Sequence, residues 1–137
     1  MVEMELNKII IDEKRQEQVI VLKEKEGTRI LPIVIGLLEA AAIKMKIGKV
    51  DPPRPLTHDL LKSLIDNLGV KLEKIVIDKL LNNTFHAKLV INTSDTEFKY
   101  IDARPSDSIA LAVRTNAPIF VEEEVLEQSK MFQPPEQ

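Results

Sequence analysis

Between residues 102 and 107 the chain gathers Asp102, Arg104, Ser106 and Asp107 in the stretch DARPSD, directly ahead of the apolar run SIALAVR. Two carboxylates five residues apart could both reach one divalent ion, and hard oxygen ligands suit magnesium or manganese. Arg104 points to different chemistry. Beside the free amides of a helix start it would hold a phosphate or a carboxylate, or it would form an internal ion pair with Asp102. The spacing is compatible with all of these. A second polar cluster, RPLTHD at 54–59, sets Arg54 before His58 and Asp59 after it. His58 could exchange protons there near neutral pH, or stand exposed in a first helical turn while Asp59 faces the helix dipole. His86 alternates with Phe85, Ala87 and Leu89 in an extended stretch, which turns it toward solvent with Lys88.

These groups depend on the elements that carry them. With Pro105 at the first helical position Asp107 is the third, and Glu39 is the third in a helix beginning at Leu37. A carboxylate there reaches first-turn amides and the positive end of the dipole, worth about 0.3 to 1 kcal/mol, so both acids also have a purely structural explanation. MELNKIIID (4–12) and QVIVLKE (18–24) flank the polar turn EKRQE and predict a hairpin; ILPIVI (30–35) predicts a third strand, which Pro32 places at an edge. LLEAAAIKMKI (37–47) predicts a helix that is apolar around most of its circumference and needs cover on several sides.

GKVDPPRPL is a stiff linker, and THDLLKSLIDNLG after it predicts a helix with Thr57 as N-cap, apolar positions 60, 61, 64, 65 and 68, and Gly69 as its stop. Three strands follow, at 70–81, 84–92 and 97–102, then a helix at 105–115, a short strand, a last helix and a loose tail at 131–137. Sliding the chain on itself by 68 residues carries Glu39 onto Asp107, Ile33 onto Ile101 and Ala42 onto Ala110 without a gap. The expectation is a single domain over 1–130 with pseudo-repeats at about 4–47 and 72–115. Each would be strand, strand, strand, helix. The fold class is α+β, a largely antiparallel sheet with helices packed on it.

Composition narrows the chemistry. The sequence has no cysteine, which removes disulfides, thiol nucleophiles and cysteine-based zinc sites. A net charge of −3 and only 4% aromatic residues argue against non-specific coating of nucleic acid, so any such contact must be local. No apolar run approaches the roughly 18 to 20 residues of a membrane span, and the start MVEMELNKII has no secretion-signal pattern, so the expected location is cytoplasmic with no membrane partner. Four glycines and no phosphate-cradling loop leave no organic cofactor to expect.

Taken together, LPIVIGLLEAAAI, RPLTHDLL, TFHAKL and DARPSDSIALAVRTNAPIFV resemble the signature stretches of the bifunctional nuclease domain family, over about residues 4–127. The resemblance implies cleavage of DNA or RNA. It marks Glu39, Arg54, His58, Asp59, Asp102, Arg104, Ser106 and Asp107 as the polar positions that recur in the family's motifs. The roles expected on that basis are metal binding of Mg²⁺ or Mn²⁺ by Glu39, Asp102 and Asp107, and phosphate contact by Arg54, Arg104 and Ser106. Catalysis would fall to His58, Asp59, Arg104 and Asp107. The rival reading is a non-catalytic oligomeric or ligand-binding module. Under either reading the apolar helix at 37–47 favours a homo-oligomer.

Overall fold

The computed structural model describes residues 1–12, 14 and 16–130. The predicted turn at 13–17 lies partly, and the predicted tail at 131–137 wholly, outside the described residues. The first half consists of β1 (Val2–Asp12), β2 (Glu17–Glu24), β3 (Ile30–Ile35) and α1 (Leu37–Ile47). After the linker and α2 (Thr57–Asn67) come β4 (Lys71–Leu81), β5 (Thr84–Asn92), β6 (Phe98–Ala103) and α3 (Pro105–Thr115). The chain then adds β7 (Ile119–Val121) and α4 (Glu123–Lys130).

The strands form one seven-stranded sheet in the order β3-β2-β1-β7-β4-β5-β6. Every neighbouring pair is antiparallel except β4 with β7. This is the α+β architecture read from the sequence. Three-residue β7 joins the two halves, pairing Ile119 with Met4 on one side and with Ile75 on the other. The halves repeat each other at the spacing of the sequence shift: α3 begins 105 − 37 = 68 residues after α1, and β6 begins 98 − 30 = 68 after β3. β3 is an edge strand, where Pro32 needs a partner only in Val21 of β2.

Alternation along the strands sends Ile20, Leu22, Leu31 and Ile33 into the same apolar core as Ile75, Ile77, Ala87 and Ile91. Ile109 and Leu111 of α3 and Val125 and Leu126 of α4 complete it. Each fully buried side chain of this size contributes roughly 1.5 to 3 kcal/mol, so the core outweighs any single polar contact. Within the helices α3 is central, packing against both α1 and α2. Side chains at its start therefore meet its neighbours.

The helix starting at Thr57 differs from its sequence reading at its cap. Its N-cap is Leu56, one residue earlier than expected, and in place of a capping hydroxyl the carboxylate of Asp59 reaches back to accept the Leu56 amide at 2.9 Å. Its apolar stripe faces outward: Leu60, Leu61, Leu64 and Leu68 are exposed, and only Ile65 packs on the core. Gly69 does stop the helix, at φ +72, while its amide and that of Val70 return to the carbonyls of Asp66 and Ile65. Among the described residues no helix is long and apolar enough to cross a membrane.

Candidate active site

Helices α1, α2 and α3 share a local design. Their N-cap residues are Gly36, Leu56 and Arg104, none of which caps with a side chain, and each helix carries an acid at its third position: Glu39, Asp59 and Asp107. Such an acid offsets the positive helix end. What distinguishes the three is where the rest of each carboxylate goes.

Asp107 uses both oxygens on neighbours. One lies 2.9 Å from His58 Nε2 and the other accepts a hydrogen bond from Arg104 Nε at 2.8 Å. The far end of Arg104 continues to Glu39 Oε1 at 2.9 Å. A chain of polar contacts thus runs His58, Asp107, Arg104, Glu39 and ties α2, α3 and α1 together. Gly36 makes room for its last member, since a Cβ there would collide with the Glu39 carboxylate. Burial raises the Asp107 pKa most strongly, but the hydrogen bonds from Arg104 and His58 together outweigh it and hold the carboxyl below its ordinary value. The same ion pairs, led by that with Asp107, raise the pKa of Arg104.

An ionised carboxylate can only accept, so His58 Nε2 carries the proton of this contact and Nδ1 is the ring's basic atom. His58 is buried, not the exposed first-turn residue that its position also allowed. It borders a cleft of about 710 Å³ together with Glu39, Arg104, Asp107 and the aliphatic side chains of Leu38, Met45, Leu56 and Leu61.

Asp59 turns away from this chemistry. Besides the Leu56 amide it accepts a 2.7 Å hydrogen bond from Arg114 Nε. Arg114 is itself buried and donates to the carbonyls of Ala110 and Ala42 at 2.9 and 3.1 Å. One guanidinium therefore joins all three helices. Burial raises the Asp59 pKa, the largest single effect, yet the Leu56 amide and Arg114 more than reverse it and leave the carboxyl lowered. Asp59 and Arg114 are positioning groups that hold the α2 start, and with it His58, against α3.

The structure thus brings together Glu39, His58, Arg104 and Asp107 of the predicted residues and separates the others. Asp102 borders the cleft but sits in register with Lys88, and alternation along β6 puts its side chain on the sheet face opposite Ile101 and Ala103. It makes no pair with Arg104, whose nitrogens go to Asp107 and Glu39. Ser106 is buried and lines a separate hollow beside Gly36 and Phe85, and Arg54 is exposed in the linker away from the cleft lining. Sequence reasoning missed Arg114. It stands seven residues after Asp107, on the same helical face, a charge within an otherwise apolar stripe, and that pattern marks a buried partner for an acid.

The expected Mg²⁺ or Mn²⁺ centre does not fit this arrangement. Among the described residues no group of three or more His, Asp or Glu side chains is placed to hold a metal ion. Arg104 bridges Glu39 and Asp107, and its charge offsets theirs where an ion would be needed.

Residues 20–134 match the sequence model of the bifunctional nuclease domain. The chain belongs to the bifunctional nuclease domain family. It is 45% identical over 128 residues to an uncharacterized protein of Mycobacterium tuberculosis, covering 93% of this chain and 76% of that protein. It is 31% identical to bifunctional nuclease 2 of Oryza sativa subsp. japonica over 81% of this chain, and 30% identical to bifunctional nuclease 1 of Arabidopsis thaliana over 74%. This bifunctional nuclease domain spans only about a third of those plant proteins, 35% and 32% of their lengths. The matched segment contains all the residues of the His58 to Glu39 chain.

Proposed function

We propose that this bifunctional nuclease domain hydrolyses phosphodiester bonds in DNA or RNA at the cleft of His58, Arg104 and Asp107. The observation that carries the reading is the 2.9 Å contact between His58 Nε2 and Asp107 Oδ1, which fixes the imidazole beside a guanidinium at a partly enclosed cleft. Asp107 orients the ring through Nε2, and Nδ1 accepts the proton of the attacking water. The new oxygen–phosphorus bond forms as the bond to the leaving sugar oxygen breaks. That oxygen takes a proton from solvent, and His58 later releases its own. Arg104 offsets the charge on the phosphate oxygens. No step passes through a metal ion.

The test is cleavage of labelled single- and double-stranded DNA and RNA, with and without EDTA, by native protein and by His58→Ala and Asp107→Ala prepared in parallel. We expect turnover that survives EDTA and falls by about 10² to 10⁴ in either variant. Equal cleavage by native and variant proteins, or none by any, refutes the proposal.

A homo-oligomer is the second reading, favoured by Leu37, Leu38 and Leu68, which are 69%, 82% and 74% exposed on α1 and at the end of α2. Sedimentation as a strict monomer at micromolar concentration removes it.

A further inference from the structure

The polar groups of the cleft account for only part of its wall. On α1 the lining residues Leu38, Ala41 and Met45 follow one helical stripe, and on α2 Leu61 stands one turn beyond His58, with Leu56 at the helix start. Leu38 is 82% exposed and Leu61 37%, so apolar carbon faces water inside a concave site. A bare phosphodiester would engage Arg104 and His58 and leave this aliphatic wall wet. A nucleotide carries both parts: an anionic phosphate and, one sugar away, a flat ring with apolar faces.

We infer that the aliphatic part of the cleft receives the base of an unpaired nucleotide whose phosphate lies at Arg104 and His58. The inference rests on the phosphodiesterase reading and adds the substrate class. Donor geometry sets the orientation: Nε and one terminal nitrogen of Arg104 are held by Asp107 and Glu39, and the other terminal nitrogen is left to donate to a phosphate oxygen. A base within a duplex is stacked on both faces and cannot present one to Leu38 and Leu61, whereas a single-stranded or terminal base can. No Phe, Tyr or Trp side chain lines the cleft, and Leu38, Leu56 and Leu61 offer no side-chain hydrogen bond to a base edge. Purines and pyrimidines should therefore bind alike.

The experiment is calorimetric titration of the full chain, in EDTA, with 5′-AMP, 5′-UMP and ribose 5-phosphate, which has the sugar and phosphate but no base. Both nucleotides should bind about tenfold or more tightly than ribose 5-phosphate, the gain expected from covering one face of a base with aliphatic carbon. The double variant Leu38→Asn, Leu61→Asn, which replaces the aliphatic wall without adding charge beside Arg104, should lose that advantage, so that both nucleotides bind it no more tightly than ribose 5-phosphate does. Both positions are exposed, and a thermal melt checks that the variant folds. Equal affinity for all three ligands overturns the inference, as does an advantage that survives in the variant. Sedimentation of both proteins identifies the competing occupant: if the substitutions dissolve an oligomer and the native protein does not distinguish nucleotides from ribose 5-phosphate, the leucines serve a second copy. Nucleotide preference without strand cleavage would refute the hydrolysis reading and keep this one; cleavage without base preference would do the reverse.

Discussion

Replacing Arg114 with methionine keeps most of the volume of a side chain that is 3% exposed and deletes its charge. Three contacts disappear: the 2.7 Å bond to Asp59 and those to the carbonyls of Ala110 and Ala42. Breaking a fully buried ion pair from one side costs roughly 3 to 5 kcal/mol. Asp59 is 31% exposed, however, so water recovers part of that loss, and the two carbonyls belong to helices that still bond them. We therefore expect a loss of about 3 kcal/mol, or about 10 °C in melting temperature for a domain of this size. Asp59→Asn keeps an acceptor for the Leu56 amide and weakens only the pairing with Arg114, so alone it should cost less, about 1 to 2 kcal/mol. Urea denaturation of both single variants and the double variant then gives the coupling, expected at about 1 to 2 kcal/mol. Activity should fall in Arg114→Met even where the protein remains folded, because His58 follows the α2 start that Arg114 secures. Additive costs, or an Arg114→Met variant within 0.5 kcal/mol of native, a margin of about the usual surface effect, would refute the three-helix latch.

The carboxyls of Asp59 and Asp107 lie below their ordinary values in the folded chain, so each adds stability above the unfolded value near 3.9 and loses it as pH falls through the lowered folded value. Urea midpoints measured from pH 6 to 2.5 should drop steeply below about pH 4. Asp107→Asn should flatten that drop, and identical slopes would count against the assignment. Glu39→Gln removes one of the two carboxylates on Arg104 from a side chain that is 17% exposed, leaving the guanidinium freer for an anion. Binding of 5′-AMP should tighten about three- to tenfold at low salt and converge on native as salt rises. Unchanged or weaker binding would mean that Glu39 orients Arg104 more than it competes for it.

The elements were legible because their signals were local. β-branched runs, Gly69 with its positive φ, and acids at third helical positions each report on a few residues at a time. Partner choice was not local. Asp59 and Asp107 are the same residue type at the same helical position, yet one meets Arg114 of the framework and the other meets His58 of the cleft. The packing of α2 across α3 decides that difference. Asp102 illustrates the same limit, because a shift of one residue along β6 reverses the sheet face that a side chain occupies, and Ala103, not Asp102, pairs with the fully buried Ala87. The α2 leucines announced an amphipathic helix correctly, while periodicity alone did not say whether its stripe would find the core, a ligand or another chain.

The asymmetry between the two halves underlies the polar chain from His58 to Glu39. A shift of 68 residues carries Glu39 onto Asp107 and also Gly36 onto Arg104, the N-cap residues of α1 and α3. Two identical strand-strand-strand-helix units would give two facing acids at two helix starts, repelling each other with nothing between. Arginine at one N-cap supplies the cation that joins them, and glycine at the other leaves room for Glu39 to fold back and meet it. His58 comes from neither copy of the strand-strand-strand-helix unit. It enters on α2, the helix inserted between them, and takes the oxygen of Asp107 that Arg104 leaves free. Arginine and histidine thus occupy the two sides of one carboxylate. On the proposed reading, a phosphate bound at Arg104 would lie beside the imidazole of His58, because the same aspartate holds both and keeps the ring's other nitrogen turned from the ion pair.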